Sequence, residues 1–258
     1  MKKHFVVCLL AMMSCLCLFR MDAVAAVPGT DGGGAVIQGV PAADVQLVML
    51  GDSITDNLRK SEPPLRDFQP IWKKYYAPYH AVNFGVSGCK TVDVIRRIQG
   101  GLLDQLQPRV VMLLIGTNDT GTGRSVEQTV EGISDIVKLV HAKLPTARIL
   151  VLGILPNDIR DWHVIGAKDP AAKWAADRLV NQRVEALLRD VPYATFLNME
   201  KSFLNADNTV NEQLFYDPWE VNFLGRKCGP LHPNTQGALR MAEAVEPVLK
   251  RLAGSSDQ

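Results

Sequence analysis

The sequence predicts an α/β fold built on a central, mainly parallel five-stranded sheet with helices on both faces. Three observations carry this. Five short apolar runs, at residues 45–50, 81–85, 110–115, 149–152 and 193–197, have the length of strands buried in a parallel sheet. The stretches between several of them repeat their apolar residues at helical spacing. Strand and helix then alternate along the chain, the pattern of parallel crossovers that cover a sheet on both sides.

The first run, VQLVML, stops at Gly51 and is followed by Asp52, Ser53, Ile54 and Thr55. A serine at the carboxyl end of a central strand stands where open α/β sheets place their ligands. Residues 59–67 are polar and contain Pro63-Pro64, which predicts a surface loop. Residues 68–76 read as a helix with Trp72 and Tyr75 facing inward, ahead of the second strand at 81–85. Thr91 is placed to cap a helix carrying Ile95, Ile98, Leu102 and Leu106. The strongest strand, VVMLLI at 110–115, precedes a capping box of Ser125 and Gln128. That box opens a helix with Val130, Ile133, Val137 and Val140 on one face. After the fourth strand, Asp169-Pro170 opens a helix running to about Arg189 in a cap-then-proline arrangement. Residues 202–231 show little periodicity, and loops of that length within a domain are usually functional. Asn234 or Thr235 then caps a last helix with Ala238, Met241, Val245, Val248 and Leu252 on its core side.

The amino terminus has a different character. Lys2 and Lys3 precede an apolar stretch over residues 5–19, and residues 23–26 supply small residues for cleavage. This layout predicts a secretory signal peptide over residues 1–26, cut after Ala25 or Ala26. Residues 27–44, with Gly32, Gly33 and Gly34, read as a flexible lead-in. A single domain is expected over 45–252, with 253–258 a short tail. Three of the five cysteines, Cys8, Cys15 and Cys17, would leave with the signal. Cys89 and Cys228 remain, as one bridge or as two buried thiols.

The formal net charge of +1 and the absence of basic runs interleaved with aromatics exclude nucleic acid as an expected partner. No His, Cys or carboxylate spacing suggests a metal, and no other cofactor is expected. Beyond the signal, no stretch is long enough for stable membrane insertion.

Three loops follow three successive strands: Gly51-Asp52-Ser53, Gly85-Val86-Ser87-Gly88 and Gly116-Thr117-Asn118-Asp119. Parallel strands bring such loops to one edge of the sheet. His232 lies immediately before the last helix. Together these supply a hydroxyl nucleophile, amide donors for an oxyanion and a base.

The blocks GDSIT, NFGVSG, GTND and LHPN, in that order, resemble the SGNH (GDSL-type) hydrolases over residues 45–252. NFGVSG, LLIGTND and the following ILP are most similar to the platelet-activating-factor acetylhydrolase-like branch. The resemblance implies a three-layer α/β/α flavodoxin-like fold. It also implies Ser53 as nucleophile, His232 as its general base, and an oxyanion hole from the N–H groups of Ser53 and Gly88 with the Asn118 side chain.

One position departs from the family. An aspartate is usual three residues before the histidine, and here that residue is Gly229. Such an aspartate fixes the imidazole tautomer and supports the imidazolium. Three alternatives follow: a Ser-His dyad with a backbone carbonyl on the ring N–H, a carboxylate from the long loop (Asp217 or Glu220), or a protein that binds carbohydrate without hydrolysis. A Cys89–Cys228 bridge would tie the histidine loop to the oxyanion loop. The expectation is an exported, metal-independent ester hydrolase acting on a small-molecule or polysaccharide ester; an acyltransferase would use the same residues.

Overall fold

The structure, a computed structural model, describes residues 35–159, 169–222 and 225–254; the leader read over residues 1–26 lies outside them, as does His163. Five strands form the central sheet: β1 (Leu47–Gly51), β2 (Val82–Asn83), β3 (Val110–Leu114), β4 (Arg148–Leu152) and β5 (Ala194–Leu197). Their order is β2-β1-β3-β4-β5 and every neighbouring pair is parallel. This is the flavodoxin-like order, whose ligand crevice opens at the switch point between β1 and β3. The helices that pack on the sheet or shape its edge are α1 (Ser53–Asn57), α2 (Thr91–Gln99), α3 (Thr117–Gly121), α4 (Val126–Lys143), α5 (Pro170–Leu188) and α6 (Thr235–Gly254).

The strands are apolar at consecutive positions because both of their faces are buried. Val48 and Leu50 of β1, Val111 and Leu113 of β3 and Val151 of β4 join one core, with Val94 and Ile98 of α2, Ile133 and Ile136 of α4 and Val180 of α5. The alternate residues, Leu47, Met49, Met112, Leu114 and Leu152, join a second core against Met241, Ala242, Val245 and Leu249 of α6. Period-two alternation along each strand thus divides the apolar residues between two layers of helix. The three-layer arrangement follows from that division.

Three helix starts obey their local signals. Ser125 Oγ accepts from the Gln128 N–H, and Gln128 Oε1 accepts from the Ser125 N–H at 3.0 Å. Asp169 accepts from the Ala172 N–H at 3.1 Å with Pro170 in the first turn. Asn234 Oδ1 accepts from the N–H groups of Gln236 and Gly237, leaving Thr235 as the first helical residue.

Other segments differ from expectation. Residues 35–44, read as part of a flexible lead-in, pair as a hairpin of Val36–Ile37 with Val40–Pro41 and bury Ile37 and Ala42. The Gln38 side chain exchanges two hydrogen bonds with the Asn83 backbone and so covers the sheet edge at β2. Thr91 does not cap α2: it is the first helical residue, and its hydroxyl donates to Asp119 at 2.7 Å. The same helix ends at Gly100, so Leu102 and Leu106 lie beyond it, although Leu106 stays buried. Residues 59–67 contain a second hairpin, Ser61–Glu62 with Arg66–Asp67. The predicted helix at 68–76 is a turn of α-helix, Gln69–Ile71, continued by a π-helical turn, Trp72–Tyr76. Among the described residues no helix is long and apolar enough to cross a membrane.

Candidate active site

The carboxyl ends of β1, β2 and β3 deliver the three small-residue loops to one edge of the sheet, at the switch point. Gly51 closes β1 because a side chain there would collide: a Cβ would lie 2.5 Å from the Leu114 carbonyl oxygen. Asp52 caps α1 through Oδ1, which accepts from the Ile54 N–H at 2.9 Å. Ser53 is therefore the first helical residue, where a backbone N–H has no acceptor within the helix.

Asn83 lashes the second loop to α1. Its Nδ2 donates to the Thr55 carbonyl at 2.6 Å and its Oδ1 accepts from the Gly85 N–H at 2.9 Å. Gly88 follows with φ of +80°, a left-handed conformation, and a Cβ at this position would meet nothing within 4 Å among the described residues.

In the third loop Asn118 is buried in α3, and its Nδ2 donates to the Cys89 carbonyl at 3.0 Å. That bond sets the plane of the amide, whose nitrogen carries a second hydrogen. Asp119 beside it accepts from both the N–H and the hydroxyl of Thr91, with Arg124 at 3.1 Å. On the other side of the loop, Thr117 accepts from Lys173 Nζ at 3.0 Å, and Lys173 pairs with Asp177 at 2.6 Å.

His232 completes the edge. Ser53 Oγ lies 2.9 Å from His232 Nε2, and His232 Nδ1 lies 2.7 Å from Asp217 Oδ1. The other oxygen of Asp217 accepts from the backbone N–H groups of Leu231 and His232. A carboxylate on Nδ1 places the ring proton there and leaves Nε2 as the acceptor facing Ser53. Of the two carboxylates offered by the long loop, Asp217 reaches the imidazole. Glu220 does not: it pairs with Arg66 at 3.1 Å. Neither a bare dyad nor an aspartate at position 229 describes this arrangement. His141 stacks on Tyr193 and His80 bonds the Asp44 carbonyl, both apart from this chain of contacts.

Burial alone would lower the His232 pKa, but the charge of Asp217 and its hydrogen bond outweigh that, aided by Asp52, and hold it above the ordinary value. Asp52 itself is 1% exposed, and one of its oxygens, Oδ2, has no hydrogen-bond partner among the described residues. Desolvation raises its pKa to about 6, against the lowering effects of the Ile54 N–H and of His232. Sequence reasoning did not single out Asp52, whose place between Gly51 and Ser53 was the available signal. It also missed Tyr216, the residue before Asp217, whose ring stacks on His232.

A hydroxyl bonded to an imidazole that is bonded to a carboxylate, beside helix-start and loop amides, can deprotonate the hydroxyl and receive an oxyanion. The family model described as the GDSL-like lipase/acylhydrolase family matches residues 49–240. The chain belongs to this family. It is 33% identical over 189 residues to platelet-activating factor acetylhydrolase IB subunit alpha1 of Bos taurus, covering 72% of this chain and 73% of that protein. Subunit alpha2 from Gallus gallus is 28% identical over 188 residues, covering 72% and 74%. A GDSL-like lipase from Bacteroides thetaiotaomicron superposes with a TM-score of 0.62 at 17% identity, over 81% of this chain and 89% of that one. An acetylxylan esterase from Geobacillus stearothermophilus, solved as a catalytic mutant, gives 0.56 at 16% identity, over 83% and 96%. The likeness to the solved structures is one of fold. The protein is thus an SGNH-type carboxylic ester hydrolase by family.

Of the two alternatives for Cys89 and Cys228, a bridge or two buried thiols, the structure has the second: both are buried thiols. Cys89 is packed in the core beside α2, whereas the Cys228 sulfur takes the Asn222 amide at 3.1 Å. Each serves the site through its backbone instead. The Cys89 carbonyl orients Asn118, and the Cys228 N–H donates to the Asp217 carbonyl at 3.2 Å. Among the described residues no group of three or more His, Cys, Asp or Glu side chains could hold a metal ion.

Proposed function

We propose that the protein is an exported serine esterase that works through an acyl-serine intermediate with Ser53, His232 and Asp217 as its triad. The observation that supports this is the continuous contact from Ser53 Oγ to His232 Nε2 at 2.9 Å and from Nδ1 to Asp217 at 2.7 Å. Export rests on the leader read over residues 1–26.

Ser53 Oγ attacks the ester carbonyl carbon as its proton passes to His232 Nε2. Asp217 balances the charge of the imidazolium. The carbonyl oxygen becomes an oxyanion that accepts from the N–H groups of Ser53 and Gly88 and from the Asn118 amide. One such donor contributes about 3 kcal/mol to transition-state stabilisation. As the tetrahedral intermediate collapses, His232 returns its proton to the alcohol oxygen, which leaves. Water, deprotonated by the same imidazole, then attacks the acyl-serine, and His232 returns that proton to Ser53 Oγ as the acyl–oxygen bond breaks and the carboxylic acid departs.

Gly229 argued for a silent binding protein; the 2.7 Å contact of Asp217 with His232 Nδ1 supports the catalytic reading over it. A short acyl group, acetyl first, on a small molecule or polysaccharide is the substrate class proposed. It agrees with the acetyl-removing names of the curated relatives and with export. Turnover of nitrophenyl esters graded from acetyl to long acyl chains tests it, with Ser53→Ala as control. Turnover that falls steeply with chain length and vanishes in Ser53→Ala is expected. Equal turnover of long chains contradicts the short-acyl reading, and undiminished turnover in Ser53→Ala contradicts the mechanism.

A further inference from the structure

His232 is gripped at its two ring nitrogens, by Ser53 and by Asp217. Contacts at those two points leave the imidazole free to tip about the line that joins them. A third contact, on the face of the ring, removes that freedom. Tyr216 supplies it: the two rings are 6° from parallel with centroids 5.4 Å apart. Parallel rings at that separation are offset, an attractive arrangement for π systems.

Tyr216 is itself held at several points. Its backbone N–H donates to the His232 carbonyl at 3.1 Å, so the two residues are paired along the main chain as well as through their rings. Its hydroxyl accepts from Asn57 Nδ2 at 3.1 Å. Asn57 is buried, and its Oδ1 is held by Lys60 Nζ at 2.6 Å. The Arg66 guanidinium carbon lies 5.2 Å from the centre of the tyrosine ring. Arg66 is in turn anchored by Glu62 at 2.8 Å and by Glu220 at 3.1 Å. Glu220, which does not touch the imidazole, therefore fixes the cation over the ring that does.

We infer that Tyr216 is a positioning residue for His232: its stacked ring, clamped by Asn57 and Arg66, sets the imidazole plane so that Nε2 faces Ser53 while Nδ1 faces Asp217. This rests on the esterase reading given above. A small tilt at a catalytic base is costly, since displacement of about 1 Å costs on the order of 100-fold in rate.

The test compares Tyr216→Phe, Tyr216→Leu and Arg66→Met in the full chain, by acetyl-ester kinetics and by the low-field NMR resonance of the His232 Nδ1 proton. Tyr216→Leu should lower kcat by about 30-fold with KM changed by less than about threefold, and lose the resonance to solvent exchange. Tyr216→Phe, which keeps the stack, should recover most of kcat and the resonance. Arg66→Met loosens the same ring from its outer, half-buried side and should lower kcat by about two- to fivefold with a broadened resonance. Wild-type kcat with an unchanged resonance in either Tyr216→Leu or Arg66→Met overturns the proposal, as does a loss that appears only in KM. Should the wild type turn over no ester at all, the esterase reading fails, and the resonance alone still decides the role of Tyr216.

Discussion

Asp217 binds His232 twice, through Oδ1 to the ring Nδ1 at 2.7 Å and through Oδ2 to the backbone N–H at 2.5 Å. One carboxylate thus fixes both the imidazole and the main chain that carries it. Replacing it with the neutral, isosteric amide keeps the shape and removes the charge that supports the imidazolium. Asp217→Asn should lower kcat by about 10³- to 10⁴-fold, whereas Glu220→Gln should stay within about fivefold, measured by initial rates on an acetyl ester. Comparable losses in the two variants would contradict the assignment of the third member to Asp217.

The acid limb of activity follows from the same pair. His232 works as a base only when neutral, and its pKa is raised because Asp217 outweighs the opposing effect of burial. The kcat/KM profile should therefore rise with pH through a midpoint above about 6.5, the unperturbed histidine value. In Asp217→Asn the opposing carboxylate is gone, burial prevails, and the midpoint of the residual activity should move to lower pH. A midpoint that stays in place would contradict the cause given for the shift.

Asn118 donates to the Cys89 carbonyl with one of its two amide hydrogens, and this contact holds the other in a fixed direction. Asn118→Ala should lower kcat by about 10²- to 10³-fold with little change in KM, because the oxyanion exists only beyond the ground state. Steady-state kinetics on the acetyl ester separate the two parameters.

Asp52 gives a prediction on stability rather than rate. Its pKa in the folded protein is raised from 3.8 to about 6, so the folded state holds this proton more tightly than the unfolded chain does. The associated stability is fully present below about pH 3.8 and is lost as pH rises through about 6. Asn can keep the cap on the Ile54 N–H without an ionisable group. Asp52→Asn should match the wild type in Tm near pH 4 and exceed it near pH 7, by calorimetry across that range. A difference that does not grow with pH would contradict it.

Much of this molecule is legible in its sequence where the causes are local. The five apolar runs became the five strands, because burial on both faces demands apolar residues at consecutive positions. Ser125 with Gln128, and Asp169 with Pro170, open helices by contacts within one turn. Ser53 and His232 were legible because each sits in a short block beside a strand end or helix start. What escaped depends on residues far apart in the chain. Thr91 reads as a cap, but Asp119, 28 residues on, takes its hydroxyl. Asp217 and Glu220 are indistinguishable in an aperiodic loop, and the choice is made by where Phe215 pairs with Pro233 and sets Asp217 beside the histidine. Nearness to the site suggested the cysteine bridge as one of two alternatives, but the Cys89 side chain is committed to the core.

The central claim is that the Ser53 hydroxyl is activated by His232, and fluorophosphonate labelling followed by peptide mass spectrometry tests it most directly. One phosphonyl adduct on Ser53 is expected in the wild type, formed about 100-fold or more slowly in His232→Ala. An adduct on another residue, or a rate at Ser53 that His232→Ala leaves unchanged, would contradict the account.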